Sequence, residues 1–255
     1  MVVVFLNCFL RSPGWLFHDK QSKRIPLIPS YTIQDNNTLI GLCEVFGDRY
    51  CKKLATEYKK YNYNFTNPCD TSCGLALAYP FNYKLISKTF KAFDDSKLPD
   101  SLVNKGFMHC VLQHKDSGNK ENILITHLQC TYTEDSPRPR KLNRFRQIQK
   151  NQLLQLHDYI VSHNINDYIL MGDFNIHKDK TDSLFMFFIN LFDYQDKYHL
   201  LSRTPTFPET STIIDYILVK NTTSVNKTKT ISQQEYKSDA NAILEISDHH
   251  AIVLF

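Results

Sequence analysis

Side chains that could do chemistry follow an apolar, strand-like segment near residue 170. The segment Asp167-Tyr-Ile-Leu-Met171 leads directly into Gly172-Asp-Phe-Asn175, which puts a carboxylate and a carboxamide at the end of a buried strand. Proteins with α/β folds place their reacting groups at such strand ends, so Asp173 and Asn175 are candidates for a functional site. They would point the same way if the strand continued through Phe174. A turn held by Asp and Asn hydrogen bonds is the alternative.

Comparable polar residues stand beside or at the ends of other apolar segments. They are Asn7, Glu44, His127, Asp215 and the pair Asp248 and His249. Singly, such residues are often a satisfied core asparagine or histidine, or a glutamate that caps a helix. Together they supply what phosphodiester hydrolysis requires: ligands for a divalent cation, a group that activates water and donors for phosphoryl oxygens. Mg²⁺ prefers oxygen ligands and keeps several waters, so one or two carboxylates suffice.

Alternating strands and helices must position these residues. Strand-like segments recur at Val2–Phe9, Thr38–Cys43, Gly74–Ala78, Gly106–Gln113, Asn122–Leu128, Tyr168–Met171, Ile213–Val219 and Ala251–Phe255. Helical patterns lie between them at about Phe46–Tyr61, Leu142–His163 and Ser183–Phe192. Strands joined mostly by loops or single helices predict an α/β fold with layered, mixed sheets. Neither a repeat nor a break in composition divides the chain, so residues 1–255 are predicted to form a single domain.

One segment rich in phenylalanine could be a membrane anchor or the buried face of a helix. Its large side chains recur at helical spacing, at Leu184, Phe187, Phe188, Leu191 and Phe192. One apolar stripe of this kind favours a helix that packs on a sheet over an exposed anchor.

Composition sets wide limits on function. A hydrophobic content of 42% and a net charge of +4 fit a soluble globular protein that acts on an anionic substrate, without requiring nucleic acid. The seven cysteines lack the paired spacing of a zinc site. Cys69 and Cys73 either form a loop disulfide or, as we expect, are ordinary reduced thiols.

The apolar N-terminal segment could be mistaken for a signal peptide. Met1–Leu10 has no basic leader and no small-residue cleavage site, and it contains the polar Asn7, so we expect a core strand instead. Apolar segments long enough to span a bilayer do not occur. We therefore expect a protein that is cytoplasmic or peripheral to membranes.

In their order along the chain, these motifs resemble the endonuclease/exonuclease/phosphatase superfamily, metal-dependent phosphodiesterases that include deoxyribonuclease I and the neutral sphingomyelinases. The resemblance extends from Asn7 to His249, and several short patterns in a fixed order rarely coincide by chance. It implies a four-layer α/β/β/α sandwich with two mixed β-sheets packed face to face. It also implies a metal-dependent phosphodiesterase that uses Mg²⁺, with Mn²⁺ as the alternative.

The resemblance assigns roles to the candidate residues. Glu44 corresponds to the primary metal ligand, while Asn7 and Asp248 correspond to residues near the metal. His127 and Asn175 would contact the phosphoryl group, with His127 stabilising it or acting as an acid. His249, oriented by Asp215, is favoured as the base that takes the proton of water, and Asp173 is the alternative base.

Three elements resemble the neutral sphingomyelinase branch in particular. They are Thr126-His-Leu-Gln129, the helix segment Arg146-Gln-Ile-Gln-Lys-Asn-Gln-Leu153 and the pair Lys105-Gly106. They imply that Lys105 contacts the substrate together with His127 and Asn175. A monomer that reaches membrane sphingomyelin peripherally and cuts it to ceramide and phosphocholine is the resulting expectation.

The sequence also departs from the family pattern. Cys43 replaces the usual glutamine beside Glu44, and the interval from Asp173 to Asp215 is short. An aromatic β-hairpin like that of secreted bacterial members is not evident. Trp15 and Phe17 could contact lipid, although we favour an inward position for them.

A basic cluster supports a different substrate. Its members are Arg138, Arg140, Lys141, Arg144, Arg146 and Lys150. It could bind nucleic-acid phosphates, which makes a DNA or RNA nuclease the alternative, or anionic lipids, or it could be a solvated helix face. A non-catalytic binding protein of the same fold is a third hypothesis, which the complete set of acid, amide and histidine residues argues against.

Overall fold

The computed structural model describes residues 1–11, 20–68, 70–131, 139–179, 181–192, 205–220, 228–231, 236–237 and 243–255. Side chains are not described for residues 139–141, 228–231, 236–237 and 243–244. Trp15, Phe17, Cys69 and Arg138 therefore lie outside the described residues, as do the side chains of Arg140 and Lys141.

The described chain contains strands joined mostly by loops or by single helices, as expected for an α/β protein with mixed sheets. The strands are β1 (Val2–Leu10), β2 (Thr38–Val45), β3 (Tyr63–Thr66), β4 (Ala76–Pro80), β5 (Tyr83–Ala92), β6 (Gly106–His114), β7 (Lys120–His127), β8 (Tyr168–Asp173), β9 (Asp215–Lys220), β10 (Thr228–Ile231), β11 (Tyr236–Lys237), β12 (Ile243–Leu244) and β13 (Ala251–Leu254). The α-helices are α1 (Gln21–Arg24), α2 (Ile28–Thr32), α3 (Asp48–Lys59), α4 (Pro139–Ser162) and α5 (Ser183–Leu191).

Most strands form two mixed sheets. The first has the order β10-β13-β1-β2-β4-β3 and the second the order β5-β6-β7-β8-β9, while β11 and β12 form a separate ribbon. Each large sheet has a single parallel pair, β1 with β2 and β7 with β8, and its other pairs are antiparallel.

Separate apolar clusters fill the spaces between four layers. The central cluster joins the facing sides of the two sheets, for example Phe5 of β1 with Met171 of β8. A second cluster packs α2 and α3 on the outer face of the first sheet, and a third packs α4 and α5 on the outer face of the second. The predicted α/β/β/α sandwich with two mixed sheets is thus confirmed.

The phenylalanine-rich helix α5 packs as its stripe predicts. Leu184, Phe188 and Phe192 are buried, and Phe187 and Leu191 pack against the same cluster. Within the described residues, no helix combines the length and apolar character needed to cross a membrane.

The parallel pairs explain how distant polar residues meet. Side chains alternate along a strand, so Asn7 continues the inward face that Val3 and Phe5 begin in β1. His127 in β7 and Asp173 in β8 likewise extend faces of the central core, and these two residues are register partners. The central core therefore ends in a layer of polar groups at one edge of both sheets.

Several elements were missed or misplaced by the sequence patterns. The longest missed strand is β5, most of whose side chains are exposed or half-buried, so it has no strong apolar alternation. The strand predicted at Tyr168–Met171 extends to Asp173 as β8, but it does not continue through Phe174, so the condition for Asp173 and Asn175 to point the same way is not met. Asn175 adopts a left-handed backbone with φ 51° instead.

Candidate active site

A cleft of about 700 Å³ opens at the polar edge of the two sheets. Most of the predicted site residues line it: Glu44, Lys105, His127, Asp173, Asn175, Asp248 and His249. Asn7 and Asp215, each 1% exposed, contact these residues from beneath the cleft floor. The structure thus brings together all the residues that the sequence singled out.

Asn7 joins the two sheets at the centre of the site. Its Nδ2 lies 3.1 Å from Glu44 Oε1, 3.1 Å from Asp173 Oδ2 and 3.5 Å from His249 Nε2. The amide oxygen instead accepts the Phe9 N–H at 3.0 Å. Asn7 therefore presents a donor to the carboxylates, an arrangement suited to holding them in place rather than to ligating a metal through oxygen.

Backbone strain helps to orient Glu44. Both Phe9 and Glu44 have positive φ angles, of 50° and 53°, where β1 and β2 lose their regular register after Asn7. Left-handed backbone is unfavourable for residues with a Cβ and is often found at functional sites. This turn directs the Glu44 side chain to the cleft, where its Oε1 also lies 3.9 Å from His127 Nε2.

His249 and Asp215 form a buried pair. His249 Nδ1 lies 2.9 Å from Asp215 Oδ2, and the Phe207 ring packs on the imidazole with centroids 4.9 Å apart. Burial lowers the pKa of His249, but the carboxylates of Asp215, Asp173 and Asp248 together outweigh it, and the pKa rises to about 10. The pair fixes the tautomer of His249 and leaves Nε2 to face Asn7 and the cleft.

Asp173 lies beside this pair. Its Oδ2 lies 3.9 Å from His249 Nε2 and 3.8 Å from His127 Nε2. Burial, followed by the negative charge of Asp215, raises the pKa of Asp173 to about 7. Gly172 permits this position, because an added Cβ would lie 2.4 Å from the carbonyl oxygen of Thr126 in β7.

The donor set fits a hard divalent cation. Ligand atoms of Asp173, Asp215 and His249 lie within 4.8 Å of one another, but Asp215 Oδ2 and His249 Nδ1 already bind each other at 2.9 Å. Glu44 and Asp248 are carboxylates that line the same cleft. The pKa of Asp248 is raised to about 6, by burial first and also by the nearby charge of Glu44. A cation that binds these carboxylates would relieve this crowding of negative charge.

Lys105 and His127 form a second buried pair. Lys105 Nζ lies 3.0 Å from His127 Nε2, 2.8 Å from Asp100 Oδ2 and 2.7 Å from the carbonyl oxygen of Leu128. These acceptors match the three N–H donors of an ammonium group, so Lys105 offers a substrate its charge rather than a free N–H.

His127 is consequently a neutral imidazole. Burial lowers its pKa well below the usual value, and the charges of Lys105 and His249 lower it further. Because Lys105 can only donate, the His127 proton resides on Nδ1, a buried atom without a hydrogen-bond partner among the described residues. Nε2, the atom nearest the carboxylates of the cleft, is thus an acceptor here, which disfavours the expected role as an acid.

Removing Lys105 should destabilise the protein. In Lys105→Met the buried Asp100 carboxylate, which is 5% exposed, loses its ammonium partner, and the free energy of unfolding should fall by about 3 kcal/mol. Urea unfolding would measure the loss. Lys52→Met is the matched control, because its pair with Asp48 is exposed and should contribute less than about 1 kcal/mol. Equal losses in both variants would contradict a structural role for the Lys105 pair.

Support residues around the site were not predicted individually. Gln149 Nε2 donates to the carbonyl oxygens of Gln129 and Asn175, both at 2.8 Å, and Gln152 Oε1 accepts the Gln129 N–H at 2.9 Å. Both glutamines lie three residues apart on α4, a helical spacing that could have identified them. They fix the segments after β7 and β8 that carry His127 and Asn175.

A buried arginine joins the first strand to the C-terminal motif. Arg24 Nη1 donates to the carbonyl oxygens of Cys8 at 2.9 Å and Ile246 at 2.8 Å, and Nη2 donates to that of Phe9 at 2.5 Å. These carbonyls flank Asn7 on one side and Ser247 on the other. Ser247 Oγ adds a contact of 2.6 Å with the carbonyl oxygen of Asn7.

The described members of the basic cluster serve partly to pack helices. Arg146 forms an ion pair with Asp182, and Lys150 Nζ lies 4.7 Å from the centre of the Phe187 ring. The Arg146 contact holds α4 against the start of α5, and the Lys150 contact holds it against the middle of α5. Cys73, the described member of the predicted cysteine pair, is a free thiol.

Comparison with known proteins reveals likeness in structure but not in sequence. No protein-family model matches the sequence, and no curated protein matches it. The S. aureus beta toxin structure superposes with a TM-score of 0.82 at 19% identity, covering 100% of this chain and 99% of that one. A mutant of the same toxin, solved with bound magnesium ions, gives a TM-score of 0.77 at 19% identity and coverage of 100% and 98%.

Two further solved structures are similar over the whole chain. Sphingomyelinase C from Streptomyces griseocarneus gives a TM-score of 0.74 at 17% identity, covering 100% of this chain and 98% of that one. An endonuclease/exonuclease/phosphatase family protein from Bacteroides thetaiotaomicron gives 0.70 at 16% identity, with coverage of 100% and 96%. With two mixed sheets flanked by helices and a polar cleft at their edge, the chain has the endonuclease/exonuclease/phosphatase fold.

Proposed function

We propose that the protein is a Mg²⁺-dependent phosphodiesterase that hydrolyses sphingomyelin to ceramide and phosphocholine. The observation that carries this proposal is the arrangement around Asn7, whose amide lies within 3.5 Å of a carboxylate from each sheet and of His249. Such a set combines cation ligands with an oriented imidazole in one cleft. A non-catalytic binding protein would have no evident need for this combination.

Glu44 and Asp248 would hold the cation, with Mn²⁺ as a substitute for Mg²⁺. When bound, the ion would neutralise phosphoryl charge and make water more acidic. Asn7 would fix the Glu44 carboxylate relative to Asp173 through its Nδ2 rather than bind the ion itself. The toxin structure with bound magnesium supports the choice of metal by analogy.

His249, oriented by Asp215, would take the proton of the attacking water. The water oxygen forms a bond to phosphorus while the bond from phosphorus to the ceramide oxygen breaks. The hydroxyl group of water thus ends on phosphocholine, and its proton completes the hydroxyl group of ceramide. A base must be unprotonated, whereas the neighbouring carboxylates hold the pKa of His249 at about 10. Neutralising Asp248 would remove one cause of that shift and move the pKa toward the working range. Asp173, with a pKa of about 7, remains the alternative base.

The remaining residues would bind the phosphoryl group. Asn175 Nδ2 now donates to the carbonyl oxygen of Leu128 at 3.1 Å and could turn to a phosphoryl oxygen. The charge of Lys105 would favour the developing negative charge in the transition state, while His127 would hold that ammonium group in place by accepting a hydrogen bond from it.

The choice of lipid over nucleic acid rests on two observations. Arg146 and Lys150 of the basic cluster are engaged with the α5 region, which weakens the case for a phosphate-binding strip along α4. Phe9, Phe46, Phe207 and Ile214 add apolar side chains to the lining of the cleft. The sphingomyelinase C likeness is consistent with this preference.

Parallel assays of two substrates test the proposal. We expect phosphocholine release from sphingomyelin vesicles that requires Mg²⁺, stops with EDTA and is absent in Asp173→Ala. Nicking of supercoiled plasmid is measured beside it under the same conditions. Plasmid nicking without phosphocholine release would replace the lipid substrate by nucleic acid, and the absence of both reactions would contradict the proposed function.

A further inference from the structure

A turn at the cleft carries the most exposed large apolar side chains of the described chain. Leu102 is 77% exposed and Leu98 is 66% exposed, more than any other large hydrophobic residue that the structure describes. They lie four residues apart in one short segment, which we call the 97–103 turn. Isolated exposed leucines are common. The two most exposed large apolar side chains, however, lie in one segment beside the candidate cleft, which indicates a contact surface.

The 97–103 turn is held firmly from below. Asp100, which points inward, accepts hydrogen bonds at its Oδ2 from Gln129 Nε2 at 2.9 Å and from the Cys130 N–H at 2.7 Å, besides its ion pair with Lys105. The Lys97 N–H donates to Gln129 Oε1 at 2.8 Å. Leu98 and Leu102 are therefore exposed although hydrogen bonds and an ion pair hold the backbone of their turn in place.

The same turn borders the cleft. Pro99, Leu102 and Val103 line it, together with Phe9 and Phe46 from the ends of β1 and β2. A phosphodiester bound at the polar floor would leave the hydrophobic part of its lipid directed to the apolar side of the mouth. Leu102 at the mouth, and Leu98 beyond the lining, then continue the surface that the hydrophobic part of a substrate would follow within the cleft.

We propose that the 97–103 turn inserts Leu98 and Leu102 into a phospholipid surface, and so sets the cleft mouth against the lipid headgroups. The proposal rests on the proposed function in one respect, that the substrate is a membrane lipid. Continuity of the leucines with the cleft favours this occupant over a protein partner or a second copy of the chain. Side chains of this length lose contact with water when they enter the acyl region, which supplies the driving force.

Vesicle sedimentation in EDTA tests the surface without turnover. Wild-type protein should sediment with vesicles of sphingomyelin and phosphatidylcholine, and the variant Leu98→Ser/Leu102→Ser should partition about tenfold less. Val161→Ser is the matched control, since Val161 is an aliphatic residue of α4 that is 59% exposed and does not line the cleft. It should bind like wild type. Urea unfolding of the variants should coincide, because the substitutions remove little buried surface.

Turnover provides a second readout that separates the two proposals. The rate on vesicles relative to the rate on a water-soluble aryl phosphorylcholine ester should fall about tenfold in the double variant. Vesicle binding that depends on the leucines without hydrolysis of either substrate would refute the proposed function and leave the surface intact. Equal vesicle binding by wild type and the double variant, or no binding by wild type, would overturn the surface. A wild-type dimer that the double variant abolishes would overturn it as well, since it would assign the leucines to a contact between copies.

Discussion

His249→Ala is expected to lower kcat by about 10³-fold or more while leaving the fold intact. Among the described cleft residues, the imidazole of His249 combines an Nδ1 held 2.9 Å from Asp215 Oδ2 with an Nε2 that lies 3.5 Å from Asn7 Nδ2 and 3.9 Å from Asp173 Oδ2. Alanine removes the proton acceptor and leaves the metal ligands in place. Single-turnover and steady-state kinetics with saturating Mg²⁺ would measure the loss.

Asp215→Asn tests how the imidazole is held. The carboxamide retains the size of the side chain, but it can favour the wrong tautomer of His249, so kcat should fall by about 10²-fold or more. The Asp215 charge is also the main cause that raises the pKa of His249. If neutral His249 is the base, the rising limb of the pH–rate profile should therefore move to lower pH in this variant.

The neighbouring histidine supplies a matched control. His250 Nδ1 lies 3.1 Å from the carbonyl oxygen of Pro205, and the residue does not line the cleft, so His250→Ala should retain most of the activity. Near-normal turnover in His249→Ala, or losses of the same size in the two variants, would remove His249 from the reaction. A rising limb that moves to higher pH in a weakly active His249→Gln would favour Asp173 as the base, because His249 lowers the pKa of Asp173.

Most of the predicted site residues lie in or next to buried strands, which is the signal that singled them out in the sequence, and the structure places them around one cleft. Apolar alternation identified β1, β7 and β8, and the parity of side chains then directs Asn7, His127 and Asp173 between the sheets. Sequence alone could not show that the ends of β1 and β8 meet, because that contact depends on how two separate sheets pack. The motif order of a known family supplied this information.

The missed features share a physical cause. The exposed strand β5 lacks an apolar face, so pairing with β6 rather than local pattern defines it. Asp100 gave no local signal either, since its partners Lys105 and Gln129 come from other segments. The orientation of Asn7 was also beyond reach, because it is fixed by the Phe9 N–H, whose position depends on the left-handed turn after β1.

The geometry of Asn7 changes what should be expected of the metal site. A residue that binds the metal directly could be replaced only by another residue with an oxygen ligand. Asn7 instead contacts Glu44 and Asp173 through the Nδ2 of its amide group. On the proposed function, the negative charge for the cation would then come from Glu44, near the end of β2, and Asp248, which precedes β13; both line the cleft. Glu44 is the carboxylate to test first, because it is part-buried and contacts the Nδ2 of Asn7 at 3.1 Å.

Glu44→Gln is expected to weaken Mg²⁺ binding by about 100-fold or more. Mutating a residue that only supports a metal ligand already lowers metal affinity by about one to two orders of magnitude. Glutamine keeps an oxygen for the Asn7 donor, so the apoprotein should unfold at the same urea concentration as wild type. In wild type, Mg²⁺ at about 100 times its Kd should add about 2.7 kcal/mol to the free energy of unfolding, and the same Mg²⁺ concentration should add no more than about 0.4 kcal/mol in the variant.

The matched control for Glu44 is a glutamate of α3 with an exposed partner. Glu57 pairs with Lys60 at 2.6 Å on the surface, so Glu57→Gln should keep both the stabilisation by Mg²⁺ and the activity. Because stabilisation is measured without substrate, it separates metal binding from the identity of the lipid. If Mg²⁺ stabilised Glu44→Gln as much as wild type, other carboxylates of the cleft would have to bind the cation. Glu44 is the principal ligand only if Glu44→Gln loses the stabilisation by Mg²⁺ and Glu57→Gln keeps it.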